Sequence, residues 1–575
     1  MSEVRNLVSA VFLSILIMIG WRVFYEKFFG HEKTAIENAS DINLNDTELA
    51  FPELKYKDRY EIINSNLEQR VQIANNKLHG SISLNGAKFD DLTLANYHVT
   101  SDPTSSEVVL LSPFGSKDVY FAEFGWIDPE NKIKTPNSST IWQTDKKRLS
   151  NGEKIILYWD NLDGIIFKIK IELDDDYMFK IEQIVENNTD AQVHLIPYGR
   201  INRNRDDIKH SYFISHEGAV GVFNDKLEEW TYKKISSQKN IKIKQNKEDN
   251  KNWFGFADKY WFTSIIPEGS SNINIKHALS SLDNKFQIDF IKQHSGEVSA
   301  NSNYSHINYF FAGAKELKFL DHYKNTLRIP LFDKAVDFGV LYFITKPVFV
   351  LLEYFHTVFK NFGLAILLLT LLIKLTMLPL SNKSYISTFR LKQLQPEMLR
   401  IKELYKNDKM KLNKEMSSLL KKHNINPMSG FLPMLIQIPI FFALYKVLFV
   451  TIEMRHAPFY LWIHDLSAPD PMNILTLFGL LDYNPPISIG ILPIILGITM
   501  IIQQKLSYDN NSSENMQVTK FLPYIFTFLF ASFPAGLIIY WICSNTITIV
   551  QQLAIKLFII KNNTVFIKKV SNESM

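Results

Sequence analysis

Residues 362–380 read FGLAILLLTLLIKLTMLPL, nineteen positions without an acidic group and close to the length of about 20 that carries a helix across a bilayer. Hydrocarbon offers no partner to backbone N–H and C=O groups, so such a run can only be helical. Inside it stands Lys374. At about 1.5 Å per residue the lysine is roughly 18 Å from Phe362 and roughly 9 Å from Leu380, beyond the midplane yet well within the bilayer. Two readings are open. In one, the stem snorkels and lifts the ammonium to the nearer headgroups. In the other, the cation faces a polar, water-containing cavity among helices, for which Thr370 and, on later segments, Gln437, Thr499, Gln503, Ser544, Asn545 and Thr546 supply polar groups.

The rest of the composition divides the chain in two. Over 575 residues, 46% hydrophobic content with a mean hydropathy of −0.06 averages a polar half against an apolar one. A net charge of +4 gives no bulk attraction to nucleic acid. The single cysteine, Cys543, lies in an apolar segment, so intrachain disulfides are excluded and the polar half must be stabilised by its core.

At the N-terminus an apolar stretch, residues 7–21, is flanked by Arg5 and Arg22 and lacks a small-x-small cleavage site. Residues 1–30 are therefore read as an uncleaved anchor, and the polar, aperiodic residues 31–60 as a tether. Residues 61–330 carry strand signals. The clearest is FKIKIEL at 167–173, where apolar and charged residues alternate in period two, broken by Asp174, Asp175 and Asp176 and resumed by FKIE at 179–182 as in a hairpin. Shorter runs at 108–111, 119–124, 155–159, 193–197 and 286–291, without helices between them, predict a large antiparallel sandwich. The aromatic cluster at 253–256 and 260–262 reads as core or as a sugar platform.

Residues 333–360 mix aromatic and aliphatic residues with Lys334, Lys346, Glu353 and Lys360, an amphipathic, interfacial pattern. Residues 381–430 hold eleven Lys or Arg against four Asp or Glu, a balance of +7 that assigns this loop to the cytoplasm. The helix bearing Lys374 then runs inward, and the sandwich lies outside. Within the loop, 391–405 and 410–423 read as two helices of an antiparallel hairpin, either a solvated spacer or a basic surface for ribosomal RNA or anionic lipid. Four further apolar segments follow within 431–560, and residues 561–575 form a basic tail with Lys568 and Lys569. Two of these segments, 487–502 and 518–533, have only sixteen residues, which implies a locally thinned membrane.

The stretches NINPMSG at 424–430, FLPMLIQIPIFFALY at 431–445, RHAPF at 455–459, LWIHDLS at 461–467, FPAGL at 533–537, YWICSN at 540–545 and TIVQQ at 548–552 resemble the YidC/Oxa/Alb family of membrane protein insertases. WFGF at 253–256 and KYW at 259–261 are similar to the periplasmic domain of its Gram-negative members. The resemblance is dense over 338–552 and looser over the sandwich.

What it implies is a polytopic inner-membrane protein: an N-terminal anchor, a large supersandwich-like all-β periplasmic domain, and a five-helix core around a hydrophilic groove open to cytoplasm and lipid. The family's groove cation, commonly arginine, falls on Lys374. Its substrate-contacting positions fall on Thr370, Gln437, Ile438, Phe441, Tyr540 and Trp541. Nascent membrane proteins, the Sec translocon with its accessory subunits, the ribosome and membrane lipids are the implied partners. Lys409, Lys411, Lys414, Lys568 and Lys569 face the ribosome in this reading. No phosphate loop or ligand spacing for a metal occurs in the sequence, so neither catalytic residues nor a cofactor nor a small-molecule ligand are expected. Two rival classes stay open on the residues alone. A secondary transporter would normally carry internal repeats and more helices. A tethered carbohydrate enzyme would use His210, His216 or nearby carboxylates as acid and base.

Overall fold

The computed structural model describes residues 56–205, 215–238, 240–244, 252–268, 274–282, 285–293, 296–423, 425, 432–476, 489–507 and 517–573. The expected anchor at 1–30, most of the tether, His210 and most of 424–430 lie outside the described residues. The chain divides into two compact units, up to Asp337 and from Phe338 onward.

The first unit is built from alternation. In the strand Ile165–Leu173 the odd positions Ile165, Phe167, Ile169, Ile171 and Leu173 are buried, and the even ones point outward. Met178–Asn187 pairs with it in antiparallel register, Phe179 opposite Leu173 and Asn187 opposite Ile165. On the outer face Lys168 meets Glu186, and Lys170 meets Glu182 at 2.8 Å. The turn is held by Asp174, whose Oδ1 accepts from the backbone N–H of Asp176 at 2.9 Å and of Met178 at 3.0 Å. An aspartate here offers the backbone an alternative to the ladder and so stops it.

Among the described residues, one sheet has ten strands, a second has nine, and a two-stranded ribbon lies apart. Side chains interdigitate between the large sheets: the Phe89 ring meets Phe179 and Phe310 edge-on, centroids 5.3 and 5.4 Å away. Trp253, Phe254, Phe256 and Phe262 are completely buried. That part of the aromatic cluster is core, each such ring stabilising the fold by roughly 1.5–3 kcal/mol. At one end Asp258 receives Arg203 at 2.7 Å together with Arg205, and Arg205 also reaches Glu217 at 2.8 Å. Elsewhere the buried Lys292 donates to the Tyr304 hydroxyl at 3.0 Å and lies 3.3 Å from His306 Nδ1. His216 Nε2 sits 3.0 Å from the Ala219 carbonyl oxygen, and burial pushes its pKa down to about 4. A ring so enclosed and neutral is a structural group.

The expected run at 193–197 is not one strand. Val193–His194 pairs with Glu297–Val298, whereas Ile196–Asn204 joins the ten-stranded sheet, because the chain changes sheets at Leu195. The last strand, Ser302–Ala314, leads to the helix α1 (Leu317–Thr326), whose Tyr323 hydroxyl donates to Asp174 Oδ2 at 2.6 Å.

The second unit is helical: α2 (Tyr342–Phe359), α3 (Phe362–Gln393), α4 (Gln395–Leu404), α5 (Lys409–Lys422), α6 (Leu432–Val450), α7 (Ile491–Ser507), α8 (Gln517–Leu529) and α9 (Ala535–Glu573). The amphipathic element expected from 333 begins only at Tyr342, since Gly339 takes a φ of 67° and breaks the chain before it. It buries Val348, Phe349 and Leu352 and exposes Phe343, Val350, Tyr354 and Val358. α3 does not stop at Leu380 but continues to Gln393 through Pro379. Ser381 and Ser384 are buried, and Asn382 Oδ1 accepts from Gln551 on α9 at 2.6 Å, so partners on α9 carry the helix past its proline. The basic hairpin accordingly starts later than 391. Asp408 caps α5, accepting from the N–H groups of Met410 and Lys411 at 3.1 and 3.0 Å.

Among the described residues two stretches, 362–391 and 535–558, are long and apolar enough to cross a membrane, and 435–450, 491–506 and 521–532 are shorter apolar helices. α9 packs on α3, α6 and α7, and α2 packs on α3 and α6. One end of this bundle is closed by the segment 451–476. Its Ala468 and Leu466 carbonyl oxygens accept from Ala535 and Gly536 at the start of α9 at 2.8 and 3.0 Å. Its Asp470 accepts from Trp462 Nε1 at 3.0 Å and from Leu492 N–H at the start of α7 at 2.7 Å. The Phe459 ring lies so close to Gly363 of α3 that a β-carbon there would stand 1.9 Å from Cδ2.

Candidate functional site

Tyr540, Ser544 and Thr548 recur every four residues on α9 and so share one face. Gln437 of α6 and Lys374 of α3 meet that face. The Gln437 amide is used at both ends. Its Oε1 accepts from Lys374 Nζ at 3.2 Å, and its Nε2 donates to the Tyr540 hydroxyl at 2.9 Å and to Ser544 Oγ at 3.1 Å. Lys374 also donates to Thr548 Oγ1 at 3.1 Å, and that hydroxyl in turn donates to the Ser544 carbonyl at 2.8 Å.

The ammonium is thus solvated by an amide oxygen and a hydroxyl oxygen, both neutral. Among the described residues no carboxylate lies within ion-pair distance of it. Two of its three N–H groups have these acceptors and no carboxylate faces it, an arrangement that attracts an anion more than it stabilises the bundle.

Beside the polar cluster stands an aromatic wall. Trp541 packs against Phe441, Phe530 and Phe526 at centroid distances of 5.0, 4.6 and 6.2 Å. Of the expected residues, Lys374, Gln437, Tyr540, Phe441 and Trp541 are brought together. Thr370 is buried and spends its hydroxyl on the Ile366 carbonyl of its own helix at 2.7 Å. Ile438 is exposed on α6. Asn545 donates to Thr499 Oγ1 at 3.1 Å, tying α9 to α7, and Thr546 is exposed. Thr548 was not foreseen as a lysine partner; the signal that finds it is its four-residue spacing from Ser544 and Tyr540. Lys409, Lys411 and Lys414 are exposed on α5, and Lys568 and Lys569 lie along the last part of α9. Among the described residues no group of three or more His, Cys, Asp or Glu is placed to hold a metal ion.

A large antiparallel β sandwich followed by apolar helices that enclose an uncancelled cation defines a polytopic membrane protein with a polar intramembrane site. Comparison with known proteins agrees. Residues 70–351 match the family model described as the YidC periplasmic domain, and residues 354–562 that of the 60Kd inner membrane protein. The membrane protein insertase YidC of Rickettsia bellii (strain OSU 85-389) is 43% identical over 560 residues, 96% of this chain and 98% of that protein. Its counterpart in Rickettsia canadensis (strain McKiel) is 42% identical over 564 residues, 97% and 100% of the two chains. A crystal structure of an active YidC insertase with its first transmembrane domain resolved overlaps 84% of this chain and 92% of that one, at 16% identity and a TM-score of 0.35. The chain belongs to the YidC family of membrane protein insertases. Its activity is the insertion of nascent membrane proteins into the inner membrane.

Proposed function

We propose that Lys374, Gln437, Tyr540, Phe441 and Trp541, with Thr370 and Ile438 beside them, form the groove through which a nascent chain passes. One observation carries this reading: the partners of Lys374, Gln437 and Thr548, are neutral, so among the described residues no acidic group is placed to cancel a charge on its ammonium. An acidic tail crossing hydrocarbon gains a counter-charge there, and water between α3, α6 and α9 lowers the desolvation cost of its backbone. The apolar segment that follows slides past Phe441 and Trp541 and leaves into lipid by its own hydrophobicity. Nothing in this sequence of events forms or breaks a covalent bond, so the protein acts without catalytic residues or a cofactor.

The positive balance of 381–430 and the lysines of the tail support a cytoplasmic hairpin and C-terminus, with the β unit in the periplasm and residues 1–30 as its uncleaved anchor. Lys409, Lys411, Lys414, Lys568 and Lys569 then meet the ribosome. The Sec translocon and its accessory subunits, and lipids of a thinned bilayer, are the further partners of this reading. The experiment is site-specific photocrosslinking during translation from a photoreactive residue at Trp541, with one at exposed Leu557 as the control. Crosslinks to a stalled single-span substrate from 541 and not from 557 are expected. Equal or absent crosslinking at 541 refutes the groove.

A further inference from the structure

The segment that closes the bundle carries a feature that capping alone does not require. Leu461 is 82% exposed and Tyr460 55% exposed, and Leu461 holds a left-handed φ of 63°. A leucine β-carbon is disfavoured in that region, so its neighbours must impose the conformation. They do so on both sides. The Phe459 N–H donates to the Ile463 carbonyl at 2.9 Å, Ile463 and Leu466 are buried, and Trp462 is tied to Asp470. The turn is rigid, and the two residues at its tip are held outward.

Its place along the bundle is fixed as well. Phe459 abuts Gly363, the second residue of α3, and the same segment bonds Ala535 and Gly536, the first residues of α9. The tip therefore stands at the level where the two longest apolar helices begin, which is where hydrocarbon gives way to headgroups. A phenol and an isobutyl group side by side suit that boundary, one end wet and the other apolar.

We propose that Tyr460 and Leu461 form an anchor seated in the lipid interface at the capped end of the bundle, setting the depth at which Lys374 is held. The inference rests on the reading of α3 and α9 as membrane spans. The occupant is lipid, because the tip stands level with the starts of α3 and α9, the helices that are long and apolar enough to cross a membrane. Eleven residues separate Gly363 from Lys374, roughly 16 Å at helical rise, so a rigid anchor at one fixes the other.

The test uses the full chain in liposomes of bacterial lipid, with Cys543→Ser removing the single cysteine. A nitroxide is attached at Leu461→Cys, Leu375→Cys or Lys409→Cys, and its accessibility to oxygen and to a water-soluble nickel chelate is measured. Leu375 reports the spans and Lys409 the aqueous reference. The expected result is a label at 461 that is oxygen-accessible and chelate-shielded, like 375 and unlike 409. Chelate access at 461 equal to that at 409, with 375 still in lipid, overturns the anchor and leaves the spans intact. Shielding of 461 from both reagents means a protein covers the tip and also overturns it. A second variant, Leu461→Gly, removes the side chain where glycine relieves the backbone. With the label at Tyr460→Cys, it is expected to shift 460 from oxygen-accessible toward chelate-accessible, and no shift overturns the proposal.

Discussion

Replacing Lys374 tests the groove most directly. The leucine variant removes the cation and the two hydrogen bonds it makes, at 3.2 and 3.1 Å. A substrate carboxylate that exchanges places with either oxygen approaches the ammonium to about 4 Å or less, where the attraction is about 1 kcal/mol if water fills the groove and about 4 kcal/mol at an effective dielectric constant near 20. At about 1.4 kcal/mol per tenfold, Lys374→Leu should slow insertion of an acidic tail by a factor between about 5 and about 1,000. Lys374→Glu reverses the sign and should fall lower still, and Lys374→Arg should match the parent because the charge remains. The assay is protease protection of single-span substrates with zero, one or two acidic residues in the translocated tail, in membranes holding equal amounts of each variant. The defect should deepen with each acidic residue. A snorkelling lysine predicts the reverse for leucine, whose burial is easier than that of a charge. If the leucine and glutamate variants process every substrate as the parent does, Lys374 is not a groove cation.

Four further outcomes follow from the same geometry. Gln437→Glu places a carboxylate against Lys374 and should abolish the preference for acidic tails while the protein still accumulates, read in the same substrate series. Gly363→Val drives a side chain into Phe459 and should destabilise the helical unit by about 1–3 kcal/mol, with Phe459→Ala restoring the loss in thermal melts in detergent; absence of rescue removes the contact as cause. Asp258→Ala leaves the buried Arg203 without its carboxylate and Arg205 with Glu217 alone, and should cost the β unit about 3–5 kcal/mol, measured as protease resistance against urea on the full chain. Burial, with Lys292 beside it, pushes the His306 pKa down to about 3, below the usual value near 6.5 in the unfolded chain. Stability is then fully present above about pH 6.5 and should fall by about 1.4 kcal/mol per unit as the pH drops toward 3; a His306→Gln variant with an unchanged pH slope counts against this.

How much of this was legible depends on whether a signal is local. The hairpin of residues 165–187 was legible because both its alternation and its aspartate turn lie within the segment. The change of sheet at Leu195 was not, since β-propensity at Val193 and Ile196 is the same whichever partner strand is present. The apolar run ends at Leu380, but the helix goes on because Asn382 finds a partner on α9, more than 160 residues later in the chain. Lys374 and Gln437 were legible as polar groups out of place in apolar runs, and Tyr540 through the family resemblance. That Gln437 joins them, and that Thr548 is the second acceptor, depends on rotamers that only the packed helices select.

The orientation of one amide has a further consequence. Gln437 turns its oxygen to Lys374 and its nitrogen to Tyr540 and Ser544. Of the neutral side chains of this length, leucine and methionine lack the donor, and glutamate lacks it when ionised. Serine and threonine are too short to reach both helices. A primary amide on a two-carbon stem offers an acceptor to Lys374 and a donor to Tyr540 and Ser544 at once, so drift at position 437 should be limited unless Lys374 or Tyr540 changes with it. A half-buried position on an apolar helix ordinarily tolerates many residues; here it is grammatical, constrained by agreement with two distant words.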